Sequence, residues 1–199
     1  MRIIEATRAC LTETPLLAVS LERIATTAGV ARRTLYTIFG SRLGLFEAIE
    51  QDLYQRGGFA EIQDAFNTHD DARQILDLML PASIRLHLRE EAVLRALFLQ
   101  ALIDPDAAAL TRRMTDGRVG GMRHLASLLL QQGYVQPRLT HAEVADVLAM
   151  LTDTIVLNQL FTVLGLSPDA VLRRLRILAN SILRADVPLS LEGGAYDGD

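Results

Sequence analysis

LERIATTAGVARRTLYTIFGSRLGLF, running from Leu21 to Phe46, holds two short helical patterns on either side of a glycine and a third that begins almost at once. Leu21, Ile24, Ala25 and Ala28 recur at helical spacing. Ser20 stands in front of them as an N-cap, its hydroxyl placed to accept from a first-turn N–H, and Gly29 follows where a left-handed cap is required. A residue with a Cβ is strained at such a cap.

The second pattern, Arg32 to Phe39, has two faces. At about 100° per residue, Leu35 and Phe39 lie together with Ile38 beside them, whereas Arg33 and Thr37 point the opposite way, flanked by Tyr36 and Thr34. One face is apolar and the other is cationic and hydroxyl-bearing. Val30 plugs the angle between the two helices. A tri-helical unit with a short second helix of this kind is read as a DNA-binding helix-turn-helix, because the major groove admits a helix and shows a distinct pattern for each base pair.

Working outward, Arg2 to Glu13 forms an amphipathic helix with Ile3, Ile4, Thr7, Cys10 and Leu11 on one stripe, stopped where Pro15 disfavours helical geometry at Thr14. On the other side Ser41 is a candidate N-cap, Arg42 stands in the first turn of a fourth helix reaching about Gln55, and Leu45, Phe46, Ile49 and Leu53 continue its core stripe. Gly44 weakens that helix locally.

Gly57-Gly58 is the clearest composition break and sets the expected boundary: residues 1–56 as the helix-turn-helix domain, 57–184 as a helical body, and 185–199 as a disordered tail rich in glycine and acids. In the body, helices are expected over Phe59 to Phe66, over Ala72 to Leu88 with a kink at Pro81, and over Glu90 to Ile103, stopped by Asp104-Pro105. Asp106 is expected to cap a long helix to about Gln132, interrupted around Gly117, Gly120 and Gly121. Thr140 and Glu143 form a capping box for a helix continuing to about Leu164, and Ser167-Pro168 starts the last helix. The fold class is all-α, about nine helices in total, with no strand pattern.

The chain has 199 residues, 50% hydrophobic and 22% charged, with a net charge of −4. That charge is uneven: residues 1 to 43 carry six arginines against Glu5, Glu13 and Glu22, a surplus of +3, so the remainder sums to −7. A cationic end on an acidic body suits a protein with one DNA-facing end. All basic residues are arginines. Cys10, the only cysteine, lies in an apolar face and is read as a buried structural thiol. His69, His87, His124 and His141 are dispersed, so no metal site is expected. No cofactor is expected either, and with no matched nucleophile and base, no HExxH and no phosphate loop, no enzyme. No secretory leader is visible, and the apolar stretch Val144 to Leu166 contains Asp146, Asp153, Asn158 and Gln159, which argues against a membrane span. A cytoplasmic protein is expected.

LERIA followed by AGVARRTLYTIFGSR resembles the DNA-binding domain of the tetracycline-repressor (TetR) family of transcriptional regulators. The resemblance covers about Ile3 to Leu53 and rests on Ile24-Ala25, Ala28-Gly29-Val30, Thr34-Leu35-Tyr36, Phe39, Ser41-Arg42 and Leu45. It implies that the helical body is a ligand-binding and dimerisation domain. It further implies a homodimer on a pseudo-palindromic operator of double-stranded DNA, more often a repressor than an activator, released by a small-molecule effector. By the same resemblance Arg32, Arg33 and Thr37 occupy base-reading places, while Thr34, Tyr36 and Arg42 hold phosphates; Ser20 joins them as the cap at the module's edge. Ala31 stands where serine is usual in the family, Ile38 where histidine or tyrosine is, and Arg42 where lysine is.

For the effector, His87, Phe98, Met122, Asp153 and Asn158 are the residues that the family's geometry brings together between helices, an apolar cleft with a few polar anchors being the usual small-molecule site. The stripe Thr154, Asn158, Phe161 and Thr162 suits either that pocket or a subunit interface. Asp153 stands in an otherwise apolar helix, and a buried carboxylate needs a partner. Two other readings stay open: a helix-turn-helix used for protein contacts, and an all-helical enzyme without a recognisable motif.

Overall fold

The computed structural model describes residues 2–13 and 19–191. Among them are ten α-helices and one π-helical segment: α1 (Arg2–Glu13), α2 (Leu21–Ala28), α3 (Arg32–Phe39), α4 (Arg42–Gly57), α5 (Phe59–Thr68), α6 (Ala72–Gln100), α7 (Pro105–Gln131), α8 (His141–Leu151), α9 (Thr154–Asn158), the π segment Gln159–Val163 and α10 (Pro168–Asn180). The fold is all-α; the one β feature among the described residues is an isolated antiparallel bridge between Val135 and Leu183. The expected break at Thr14 and Pro15 lies outside the described residues.

The chain divides into two compact units. The first joins Met1–Gly57 with Glu90–Asp116, and the second joins Gly58–Arg89 with Gly117–Asp199. Parts of α6 and α7 thus cluster with the N-terminal helices, a grouping that a linear division after residue 56 does not contain.

In the first unit the core is built from Ala6, Cys10 and Leu11 of α1, Ile24 and Ala25 of α2, Leu35 of α3, and Leu45, Phe46, Ile49 and Leu53 of α4. The helix ends follow local chemistry. Ser20 Oγ accepts from Arg23 N at 3.1 Å, and Gly29 adopts the left-handed conformation at φ 67° while its N–H closes the last turn of α2. Ser41 Oγ accepts from Gly44 N at 3.0 Å, which caps α4. Gly44 does more than weaken the helix: a Cβ there meets the Phe39 carbonyl oxygen at 2.1 Å, so only glycine allows the tight passage from α3 into α4.

The second unit packs α5, the first part of α6, the second part of α7, and α8 to α10 around Leu76, Met79, Leu80, Ile84, Leu125, Leu129, Val144, Leu148, Leu157, Val171 and Leu175. The capping box of α8 is present, with Thr140 and Glu143 bonding each other's backbone N–H, and Pro168 opens α10 behind Ser167.

Several expectations differ. The two helices expected over 72–88 and 90–103 are one continuous α6 through Pro81, because the chain between them carries no stop signal. Asp104, not Asp106, caps α7: its Oδ1 accepts from Asp106 N at 2.9 Å and Ala107 N at 3.3 Å, and Pro105 takes the first helical position, where a missing N–H costs nothing. α7 runs uninterrupted through Gly117, Gly120 and Gly121, and a Cβ at each meets nothing within 4 Å. The helix expected over 140–164 breaks at Thr152-Asp153, because Asp153 Oδ1 accepts from Ile155 N at 2.8 Å and starts α9. The part of the expected tail that is described, residues 185–191, packs on the second unit: Leu189 is buried in its core and exchanges two hydrogen bonds with the Asn180 side chain, at 2.7 and 3.0 Å, while residues 192–199 lie outside the described residues. A lone leucine after Pro188 carries no periodicity to announce this.

Candidate nucleic-acid interface

α3 is held by one side only. Leu35 is 2% exposed beneath the helix, Phe39 is half-buried, and Arg32, Arg33, Tyr36, Thr37 and Ile38 are exposed. Thr34 is partly covered at the rim. Arg32, Arg33, Tyr36 and Thr37 thus share the outward side of α3, and the expectation for the apolar face is corrected at one position: Ile38 is not buried with Leu35 but is 57% exposed. An angular position beside Leu35 does not bury a side chain when no neighbouring helix covers that flank.

The arginines differ in how they are held. Arg32 donates to Tyr36 Oη at 3.0 Å, lies 5.5 Å over the Tyr36 ring and pairs with Glu22 at 2.5 Å. The Tyr36 hydrogen bond, followed by the Glu22 charge, holds its guanidinium further above its already high range. Arg33 enters none of the ion pairs found among the described residues. Thr37 donates its hydroxyl proton to the Arg33 carbonyl at 3.1 Å, leaving its oxygen to accept.

Arg42 is placed otherwise than as a bare cation at a helix start. Its guanidinium donates to Val19 O at 2.9 Å, pairs with the Asp104 carboxylate and lies 5.3 Å over the Phe46 ring. Asp104 is 1% exposed against 28% for Arg42, so the pair is anchored at its acidic end inside the unit. The cation that the motif offers to phosphate is already neutralised by an acid 62 residues further along the chain.

Other ion pairs within the first unit were not legible in the sequence. Arg8 bridges Asp52 at 3.0 Å and Glu90 at 2.6 Å, and Arg113 reaches Glu47 at 2.6 Å and also Glu50. Glu90 is 3% exposed; burial pushes its carboxyl above the ordinary glutamate range while Arg8 pulls it back. The apolar face expected around Cys10 does bury the thiol.

Residues 3–49 match the family model described as bacterial regulatory proteins, tetR family. Over that stretch the helix-turn-helix module is similar to the DNA-binding domain of the TetR family. The TetR-like fold extends beyond it. A candidate TetR-family transcriptional regulator from Rhodococcus sp. superposes with a TM-score of 0.69 at 16% identity, over 92% of this chain and 96% of that one. A candidate transcriptional regulator from Saccharomonospora viridis, solved in complex with choline, gives 0.68 at 18% identity over 92% and 96%. The ketosteroid transcriptional regulator of Mycobacterium tuberculosis gives 0.63 at 19% identity over 92% and 93%. No curated protein matches the chain.

In this TetR-like framework the five expected effector residues fall in both units. Phe98 belongs to the first unit and His87, Met122, Asp153 and Asn158 to the second. His87 is buried with its ring stacked on Phe161 at 5.7 Å, and Phe161 sits in the π segment. Met122 is part of the second core. Asp153 has the partner its setting demanded, Arg118 at 2.7 Å, whose guanidinium also donates to Thr152 Oγ1 at 3.3 Å and to the Ala149 carbonyl. Asn158 Oδ1 accepts from Thr162 at 3.0 Å. Among the described residues no group of three or more His, Cys, Asp or Glu is placed to hold a metal ion, and no single helix is long and apolar enough to cross a membrane; one pair, α8 with α9 and the π segment, passes by composition but is bent by 45°.

Proposed function

We propose that this chain is a ligand-responsive transcriptional repressor of the cytoplasm that grips a pseudo-palindromic DNA operator as a homodimer through the outward arc of α3, and releases it when a small molecule occupies the second unit. The observation that carries the reading is the asymmetry of α3: Leu35 pins one side to the core, while Arg33, Thr37 and their neighbours stand in solvent in a cationic, hydroxyl-bearing arc. Arginine bonds guanine O6 and N7 bidentately, and threonine serves as donor, acceptor or methyl contact. Arg33 and Thr37 are assigned to bases; Arg32, Thr34, Tyr36 and Ser20 frame them, with Arg32 oriented by Tyr36 and Glu22.

A second copy is supported by the apolar side chains that α8, α9, the π segment, its following turn and α10 leave exposed, Met150, Ile155, Val163, Leu164, Ile177 and Leu178. A small-molecule effector is supported by the choline held by the similar protein of Saccharomonospora viridis. His87 stacked on Phe161 is the assigned anchor within the second unit, since π segments recur at functional sites. Release requires that the effector bind the non-gripping state more tightly than the gripping one.

The test is selection of duplexes from a random pool by the purified chain, followed by titration at two salt concentrations and sedimentation against the 21.9 kDa monomer mass. Recovery of two half-sites about 10 base pairs apart or a multiple of that, bound by a dimer with salt-dependent affinity, is expected. An affinity absent at both salts leaves the protein-contact reading of the helix-turn-helix in its place.

A further inference from the structure

The outward arc of α3 carries one side chain that neither charge nor hydrogen bonding explains. Among the described residues of α1 to α4, the large apolar side chains left exposed are Tyr36 and Ile38, both on α3. Tyr36 is accounted for, since its hydroxyl and ring hold Arg32. Ile38 has no polar atom, is more exposed than Tyr36, and stands one residue from Thr37 on a helix whose other large aliphatic residue, Leu35, is buried. In water such a side chain gains nothing, whereas the module hides its remaining described large apolar residues at least in part.

The major groove has one apolar group, the C5-methyl of thymine, which aliphatic side chains contact and which separates A·T from the other base pairs. We propose that Ile38 reads thymine: its branched side chain packs against a thymine methyl in each half-site, from the flank of α3 about 100° round the helix from Thr37. This rests on the DNA-binding role proposed for α3. It adds an apolar contact to that role and predicts an A·T pair at a defined place in the half-site. Being β-branched, Ile38 has few side-chain rotamers on a helix and loses little freedom on contact.

Deoxyuridine differs from thymidine only by that methyl, so it isolates the contact. In the duplex selected by the full chain, each thymine of the half-site is replaced in turn by deoxyuridine. Binding is measured for the wild type, Ile38→Val and Ile38→Ala by fluorescence anisotropy. One replacement is expected to weaken wild-type binding about three- to fivefold per half-site, the worth of burying about one methyl group. Ile38→Ala is expected to bind the thymine duplex at the weakened level and to lose the discrimination, and Ile38→Val to retain most of it. Because Ile38 is exposed, neither change removes core packing, and circular dichroism of each variant checks that the helices persist.

A half-site without thymine overturns the proposal, as does uniform indifference of the wild type to deoxyuridine or an undiminished penalty in Ile38→Ala. In each of those cases α3 still binds DNA, and only the thymine reading falls. If no duplex is enriched by the wild type at all, the DNA-binding reading falls and takes this inference with it.

Discussion

The outward arc of α3 and the first turn of α4 come from one short stretch of sequence, and both present arginine. On α3, Arg33 stands in solvent and Arg32 is oriented by Tyr36 and Glu22 at the surface. At the start of α4, Arg42 is tied to a carboxylate that is almost wholly buried, to a backbone carbonyl and to an aromatic face. The difference lies in the partner. A surface ion pair is worth little and yields easily to a phosphate, whereas an ion pair with one member inside the protein leaves an uncompensated charge when it is broken. The arginines of one motif are therefore held differently: Arg32 and Arg33 stay at the surface of α3, and Arg42 ties α4 to the start of α7 within the first unit.

The largest effect that tests this contrast is expected from Arg42→Ala. It strands Asp104 without its cation and lowers stability by about 3–5 kcal/mol, read by urea denaturation. If Arg42→Ala instead leaves stability unchanged and only flattens the salt dependence of DNA binding, Arg42 is a phosphate contact and the contrast fails. Gly44→Ala attacks the same junction through sterics. With the Phe39 carbonyl in the way of a Cβ, it is expected to cost about 1–3 kcal/mol in thermal unfolding, more than the helix propensity of alanine returns.

On the α3 side the sign is reversed. Arg33→Ala or Thr37→Ala is expected to leave the unfolding midpoint in place and to weaken specific binding by about 1–3 kcal/mol, with scrambled duplex much less affected. Equal loss on both duplexes would sink the base-reading role of Arg33.

The smallest effect concerns the other internal acid, Glu90. Its carboxyl is raised by burial, so the folded protein holds that proton more tightly than the unfolded chain does. The contribution of Glu90 is full below the ordinary glutamate range and declines as pH rises through the raised value. Glu90→Gln should remove that decline, which denaturation midpoints taken between about pH 4 and pH 7 detect. An unchanged pH profile would mean that the Arg8 guanidinium fully offsets the burial of the Glu90 carboxyl.

Local chemistry made much of the fold legible. Ser20, Gly29, Ser41, the Thr140 and Glu143 box, and Ser167-Pro168 all act on groups within four residues of themselves, so their helix boundaries can be read directly. The order of signals from Ile24 to Leu45 was enough to identify the module, and the exposed placement of Arg33 and Thr37 follows from helical periodicity alone. Breaks set by one competing cap were missed: Asp153 starts a new helix inside an apolar run that periodicity alone would continue.

The effector residues were hardest to place, because an apolar helix face looks the same whether it meets a core, a ligand or a second copy. Met122 is packed in the second core, Phe98 belongs to the first unit, and His87 is stacked on Phe161, a residue of the stripe that suits either a pocket or a subunit interface. What the sequence by itself determined, then, is the helical module, its caps and its cationic arc, each set by interactions within a turn or two. Only the tertiary structure decided which charges are spoken for. Arg42 with Asp104 and Arg8 with Glu90 are joined across 62 and 82 residues. It alone also decided that Ile38 faces outward, since exposure depends on whether another helix arrives to cover a flank, and no residue spacing within α3 records that.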